Sequence, residues 1–207
     1  MKAWKKDIKA NWKLIVIALL CLLASGVFNY IAGNYVDQTG STQSTDIILD
    51  NIPVMDLSWL FGYGALFVVL VLLFYPLILK PKELHSTIIQ FSLLILIRSF
   101  FISLTHLQAP ADAIFSNFAL LDQVILFHND LFFSAHTAIP FLGFLMFRKG
   151  WIGKFFLVST IVMAATVLLM HAHYSIDVFA AVFIAYGSYK LGQRILAKIH
   201  AWHNKKN

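Results

Sequence analysis

The sequence predicts an all-α integral membrane protein with six transmembrane helices. Of its residues, 59% are hydrophobic and 13% are charged, and the mean hydropathy is +0.76, which is too apolar for an ordinary soluble domain of 207 residues. Helical runs that cross a bilayer core of ~30 Å, at ~1.5 Å of rise per residue, can be placed six times. We place them at 14–35, 59–79, 85–106, 131–147, 151–170 and 175–192.

The basic residues indicate how these helices are oriented. Apart from Arg98, they precede segment one, join segments two and three, join segments four and five, and occupy the end of segment six and the residues after it. The loops at 36–58, 107–130 and 171–174 contain no Lys or Arg. Because cytoplasmic loops of membrane proteins are enriched in Lys and Arg, both termini are predicted to be cytoplasmic and these three loops extracytoplasmic. The basic excess therefore indicates topology and does not indicate a nucleic-acid partner.

The chain divides into three parts. Residues 1–13 form a basic cytoplasmic segment, residues 14–195 a six-helix membrane domain that carries the candidate site, and residues 196–207 a basic cytoplasmic tail. The first part is either an interfacial helix on anionic inner-leaflet lipid or a positive flank of the first span. The long apolar run that follows favours a retained anchor over a cleaved signal peptide.

Segment three contains an arginine within the predicted hydrocarbon region. Arg98 lies sixteen residues past Lys82, which puts it ~24 Å up the helix, in the outer half of the membrane. An isolated arginine there costs at least ~2.5 kcal/mol, so an anion is expected beside it. That anion is either a carboxylate of Asp56, Asp130 or Asp177, or a phosphate or carboxylate of a ligand, which a guanidinium binds bidentately.

The outer end of segment six carries a histidine and a carboxylate four residues apart, His173 and Asp177. Positions i and i+4 share one face of a helix, so Asp177 is predicted to accept a hydrogen bond from one imidazole nitrogen and to leave the other nitrogen free. Such a pair is either a nucleophile with its orienting group or a pair of metal ligands. His136 is predicted about one and a half turns into segment four, at a matching depth.

These residues fit phosphoryl transfer without a metal or another cofactor. His173 attacks phosphorus, Arg98 neutralises the nonbridging oxygens and His136 protonates the leaving oxygen. Cys21 is the only cysteine, so a zinc–thiolate site is excluded. Two other classes stay open: a metal-dependent membrane hydrolase with His and Asp ligands, and a transporter or scaffold whose histidines relay protons or pack.

The three loops predicted to be extracytoplasmic, 36–58, 107–130 and 171–174, are called the first, second and third outer loops, and the second contains one more predicted feature. Residues 114–127 are apolar but too interrupted to span, and they are predicted to lie along the outer surface and cover a cavity.

The motifs resemble those of the sphingomyelin synthase-like branch of the type 2 phosphatidic acid phosphatase superfamily. Ser134-Ala135-His136-Thr137 and His173-Tyr174-Ser175-Ile176-Asp177-Val178 are similar to its two histidine motifs. Ile52-Pro53-Val54-Met55-Asp56 and Arg98-Ser99-Phe100 are similar to two earlier motifs, in order and position. Ala135 stands where the family motif has glycine, and His128-Asn129 stand where it has Cys-Gly.

The resemblance implies roles for individual residues. It makes His136 the acid and base, His173 the nucleophile and Asp177 its partner. Phosphate or substrate contacts are expected from Arg98, Asp130, Ser134, Tyr174 and Asp56. The expected reaction moves a phosphoryl headgroup from a phospholipid donor to a lipid hydroxyl such as ceramide. A lipid phosphatase of the same superfamily, with water as the acceptor, is the alternative.

Overall fold

The computed structural model describes residues 2–39, 42–114 and 131–206. Within these ranges the chain is all-helical, with 80% of its residues in helices and no strand, which confirms the all-α part of the prediction. The α-helices are α1 (Lys2–Ala10), α2 (Trp12–Thr39), α3 (Ala65–Leu79), α4 (Leu84–Leu104), α5 (Ala135–Met146), α6 (Gly150–Leu169) and α7 (Ser175–Lys206). A π-helical turn, Leu60–Gly64, leads into α3, and short 3₁₀ turns lie at Leu49–Asn51 and Pro81–Glu83.

Four helices of the described part are long and apolar enough to cross a membrane, judged by length and composition. They are Trp12–Thr39, Leu60–Leu79, Pro81–Leu104 and Gly150–Leu169. Large apolar side chains cover the outside of the helices, and Leu23, Phe100 and Phe183 are each more than half exposed. An apolar exterior of this kind suits helices surrounded by lipid.

The predicted fourth segment, 131–147, contains a shorter helix than expected. Helix α5 has 12 residues, or ~18 Å at the rise of an α-helix. Residues 131–134 lie before the helix because their backbone is engaged elsewhere: the carbonyl of Phe133 accepts a hydrogen bond from Arg98, and the N–H of Ser134 donates to the carbonyl of Asp177. The entrance to α5 is therefore tied to both α4 and α7.

Helix α7 is longer than the predicted sixth segment, 175–192. It continues to Lys206, so the predicted tail, 196–207, extends the same helix over nearly all of its length. Leu196 and Ile199 pack in one cluster with Ala18 of α2 and Ile88 of α4, and this contact gives the extension an apolar face to bury.

The core beneath the outer end of the molecule joins three helices. Its buried residues come from α4, from α5 and the segment just before it, and from α7: Leu94, Phe133, Ala138, Leu142, Ala181 and Ala185. The small side chains of Ala181 and Ala185 let α5 and α7 approach closely. This packing fixes the start of α5 against α4 and α7, where the candidate site lies.

Candidate active site

The structure brings four predicted site residues together where the C-terminal half of α4 meets the starts of α5 and α7. Arg98 is 4% exposed, His173 4% and Asp177 0%, while His136 is partly buried. The ring centroids of His136 and His173 are 6.3 Å apart. His136 lies within electrostatic reach of both His173 and Arg98. The predicted convergence of two imidazoles, an acid and a guanidinium is thus present in the fold.

Arg98 is held by the chain that leads into α5. Its Nε donates a hydrogen bond of 3.0 Å to the carbonyl of Phe133, three residues before His136. A guanidinium has five N–H donors in a planar fork, so a bond through Nε fixes the plane of the fork. This bond orients the charge of Arg98 relative to the start of α5.

His136 is the second residue of α5, not a residue one and a half turns into the helix, because α5 begins only at Ala135. Its ring stacks on Phe61 at 3.9 Å between centroids and 29° between planes. Phe61 belongs to the π-helical turn before α3, a rare element that is frequent at functional sites. The stack fixes one face of the imidazole.

His173 and Asp177 are adjacent, but the predicted hydrogen bond between them is not formed. His173 Nδ1 lies 3.6 Å from Asp177 Oδ2, which is beyond hydrogen-bonding distance. The reason is that α7 begins at Ser175, so His173 precedes the helix instead of sharing its face. Asp177 Oδ2 accepts the backbone N–H of Tyr174 at 3.0 Å, as an acidic residue in the first turn of a helix commonly does.

Three polar atoms of the site are buried without a hydrogen-bond partner in the described part of the chain: His136 Nε2, His173 Nδ1 and Asp177 Oδ1. Buried polar atoms are nearly always satisfied, so each such atom calls for an explanation. A ligand with several oxygen acceptors, one of them able to carry a proton, would satisfy both imidazoles and the carboxylate. A phosphate ester beside Arg98 is a ligand of that kind.

Ser134 and Tyr174, two of the predicted substrate contacts, lie beside His136 and His173, and their hydrogen bonds hold backbone segments together. Ser134 is fully buried, and its N–H donates to the carbonyl of Asp177. The hydroxyl of Tyr174 donates to the carbonyl of Gln108 and accepts the N–H of Ser44, both at 3.0 Å. Both residues therefore join the outer loops and α5 to the start of α7.

Two more contacts were predicted, at Asp56 and Asp130. Asp56 is exposed, and its carboxylate accepts bonds from the hydroxyl and the N–H of Ser58, which hold the pKa of Asp56 below its usual value. Asp130 and the predicted surface stretch 114–127, apart from Ile114, lie outside the described residues.

Asp46 is a functional candidate that the sequence did not single out. Its Oδ2 accepts the N–H of Ser175 at 2.6 Å, at the first residue of α7, and its Oδ1 accepts the N–H groups of Ile48 and Leu49. It thus joins the first outer loop to the helix that carries Asp177. Nothing in the sequence signals this role of Asp46, because the loop contains several aspartates and only the folded structure shows which one contacts α7.

A cavity of about 270 Å³ opens beside the start of α7. It is lined by the first outer loop, by Leu107 and by the first residues after His173, with both hydroxyl and aliphatic side chains: Ser44, Thr45, Asp46, Ile47, Leu107, Tyr174, Ser175 and Ile176. Tyr174, Ser175 and Ile176 of its lining directly follow His173 in the chain, whereas Arg98, His136, His173 and Asp177 are not among its lining residues.

Within the described residues, no three His, Cys, Asp or Glu side chains form a set that could hold a metal ion. Comparisons of the chain with known protein families, curated proteins and solved structures give no match.

Proposed function

We propose that this protein is a membrane phosphotransferase of the sphingomyelin synthase type, which moves a phosphoryl headgroup from a phospholipid to a lipid hydroxyl such as ceramide. The observation that carries the proposal is the cluster of buried polar atoms without partners on His136, His173 and Asp177, next to the buried guanidinium of Arg98. This cluster combines a nucleophile, an acid or base and a positive charge for one phosphoryl group.

In the first half of the reaction, a ring nitrogen of His173 attacks phosphorus and forms a P–N bond. The P–O bond to the lipid breaks, and His136 donates a proton to the leaving oxygen. Arg98 stabilises the negative charge on the nonbridging oxygens. Asp177, near His173 Nδ1, stabilises the positive charge that develops on the imidazole.

In the second half, His136 removes the proton from the acceptor hydroxyl. The acceptor oxygen attacks phosphorus, the P–N bond breaks, and His173 returns to its starting state. The same two histidines thus serve both halves, because the proton given to the first lipid is replaced by the proton of the second.

The proposal includes a topology of six spans with both termini in the cytoplasm and the site on the extracytoplasmic side. The four long apolar helices support it, as does the absence of Lys and Arg from the outer loops. The resemblance of four motifs to those of the synthase-like branch supports the choice of reaction.

The test is a headgroup-transfer assay with purified protein in vesicles that contain a panel of labelled phospholipid donors, with and without ceramide. We expect label on ceramide, and acid-labile label on the protein when the acceptor is withheld. His173→Ala should abolish both. His106→Ala is the matched control, because His106 is an exposed histidine two residues past the end of α4 and is not one of the four clustered residues.

Release of free phosphate or phosphorylated headgroup, with none on ceramide, would instead establish the phosphatase alternative. Activity that survives His173→Ala would refute the phosphohistidine, and loss of activity with strong chelators would favour the metal-dependent hydrolase.

A further inference from the structure

A second histidine and carboxylate pair lies two residues before His173. His171 Nδ1 and Asp112 Oδ2 are 2.9 Å apart, at full hydrogen-bonding distance, whereas His173 and Asp177 are 3.6 Å apart. His171 is buried, and Asp112 reaches it from the second outer loop with 57% of its side chain exposed. The reaction proposed above uses neither residue.

The backbone of His171 has a conformation that favours glycine. Its φ is 52°, in the left-handed region. His171 donates its N–H to the carbonyl of Leu168, and Ala172 donates to that of Val167, the pair of bonds that commonly ends a helix around a glycine. Since glycine would serve the backbone better, the presence of a buried histidine indicates a need for its side chain.

The loop that carries Asp112 is fastened on both sides of this pair. Ile114 donates its N–H to the carbonyl of Met170, one residue before His171. The hydroxyl of Tyr174 donates to the carbonyl of Gln108, one residue after His173. The His171–Asp112 bond lies between these two ties, so the segment 170–174 is held to the loop along its whole length.

We propose that His171 and Asp112 are positioning residues that hold His173 in register with His136 and Asp177. His171 and Ala172 close the end of α6 through their N–H groups and Tyr174 caps α7, so His173 lies in the short turn between the two helices. The His171–Asp112 bond adds a side-chain tie to this turn, and the tie limits how far the turn, and with it the His173 ring, can move. This inference rests on the proposed function, in which His173 is the nucleophile.

The experiment compares four variants of the full-length protein: Asp112→Asn, His171→Gly, His171→Asn and the double variant Asp112→Asn/His171→Gly. His171→Gly relieves the backbone and removes the tie, whereas His171→Asn tolerates the left-handed conformation and keeps a group that can bond to Asp112. Asp50→Asn is the control, as an exposed carboxylate of the first outer loop.

We expect Asp112→Asn and His171→Gly each to lower kcat of headgroup transfer by roughly ten- to a hundredfold, with KM within about twofold, because misplacement of a reacting group affects the chemical step. The double variant should be no slower than the slower single variant, and His171→Asn should recover part of kcat. Full kcat in His171→Gly would overturn the proposal, as would additive losses or label found on His171.

A second measurement separates this inference from the proposed function. The unfolding temperatures of the same variants are measured in detergent. A double variant whose unfolding temperature falls by less than the sum of the two single losses supports an interaction between His171 and Asp112, whereas additive losses overturn it. Absence of headgroup transfer by the wild-type protein would refute the proposed function. Whether His171 and Asp112 interact would then be decided by the unfolding temperatures alone.

Discussion

The rings of His136 and His173 lie 6.3 Å apart, centroid to centroid, with 60° between their planes. A hydrogen bond from a ring nitrogen reaches ~2.6–3.2 Å, so one phosphoryl group between the rings can contact both. One ring then serves as nucleophile while the other exchanges protons with the entering or leaving oxygen. The two rings are held from different sides, His136 by the stack on Phe61 and His173 by the loops around α7.

The roles of these two histidines can be separated with donors that differ in their leaving group. His136→Gln should slow transfer from an ordinary phospholipid by about 10²–10⁴-fold, the usual contribution of a general acid or base. A nitrophenyl ester of the same headgroup needs no proton on its leaving oxygen, so His136→Gln should form the labelled protein from it at near wild-type rate. His173→Gln should form none from either donor. Equal losses with both donors in His136→Gln would argue against the acid role.

Replacement of Arg98 by lysine tests geometry apart from charge. Lysine keeps the positive charge but has no planar fork, so it cannot donate to the carbonyl of Phe133 and grip two phosphoryl oxygens in the same plane. We expect Arg98→Lys to lower kcat by about 10²–10³-fold, the cost of removing a donor to a developing negative charge. Initial rates over a range of donor concentrations measure it. A full kcat in Arg98→Lys would show that charge alone suffices.

The stack of Phe61 on His136 predicts an effect of an aromatic residue outside the four motifs. Phe61→Leu keeps an apolar side chain but removes the parallel ring, an interaction worth about 0.5–1.5 kcal/mol. We expect kcat to fall by about two- to thirteenfold, because RT at 25 °C converts those energies to such factors. Phe74→Leu, at a lipid-exposed position of α3, is the control and should leave kcat unchanged. An equal effect of both variants would indicate a general change in packing.

Asp46 predicts a pH-dependent contribution to stability. Burial raises the pKa of this carboxyl, but hydrogen bonds from Ser175, Leu49 and Ile48 outweigh it, and the pKa in the folded protein is lowered overall. A carboxyl group with a lowered pKa stabilises the fold above its unfolded pKa of ~3.9, and this contribution is lost as the pH falls through the folded pKa. Asp46→Asn should therefore destabilise the protein by on the order of 1 kcal/mol at pH 7.

The difference between the wild type and Asp46→Asn should shrink as the pH falls below about 4, because the carboxyl of the unfolded chain binds a proton there and that of the folded protein follows only at lower pH. Unfolding temperatures across this range in detergent measure it, with Asp50→Asn as the exposed control. A difference that stays constant down to pH 3 would mean that the charge of Asp46 is not what stabilises the start of α7.

The approach of Arg98, His136 and His173 to one another was predictable because it depends on patterns along single segments. The distance from Lys82 to Arg98 and the placement of His136 and His173 at the outer ends of their segments follow from helical rise and apolar length alone. The structure brings these residues together as predicted. Contacts between segments were not predictable in the same way, since the stack of Phe61 on His136 joins two residues 75 positions apart in the chain (136 − 61).

The start of α5 shows why an apolar run does not define a helix. Leu131, Phe132 and Phe133 continue the apolar pattern of α5, so the sequence predicted a helix through them. Their conformation is decided by Arg98, which takes the carbonyl of Phe133, and by Asp177, which takes the N–H of Ser134. Because these bonds keep residues 131–134 out of the helix, His136 lies in the first turn of α5 and not at its predicted position.

The close packing of α5 on α6 gives a last prediction, which tests how much the site depends on helix position. A Cβ added at Gly143 would lie 2.5 Å from a ring atom of Phe156, a fully buried side chain. Gly143→Ala should therefore push α5 away from α6 and destabilise the protein by about 1–3 kcal/mol, the usual cost of overpacking. Gly187→Ala on α7 meets nothing within 4 Å and should be neutral or slightly stabilising. Because α5 carries His136, we expect Gly143→Ala also to lower kcat in the transfer assay. If the unfolding temperature and kcat are both unchanged, α5 and α6 are not in the contact described.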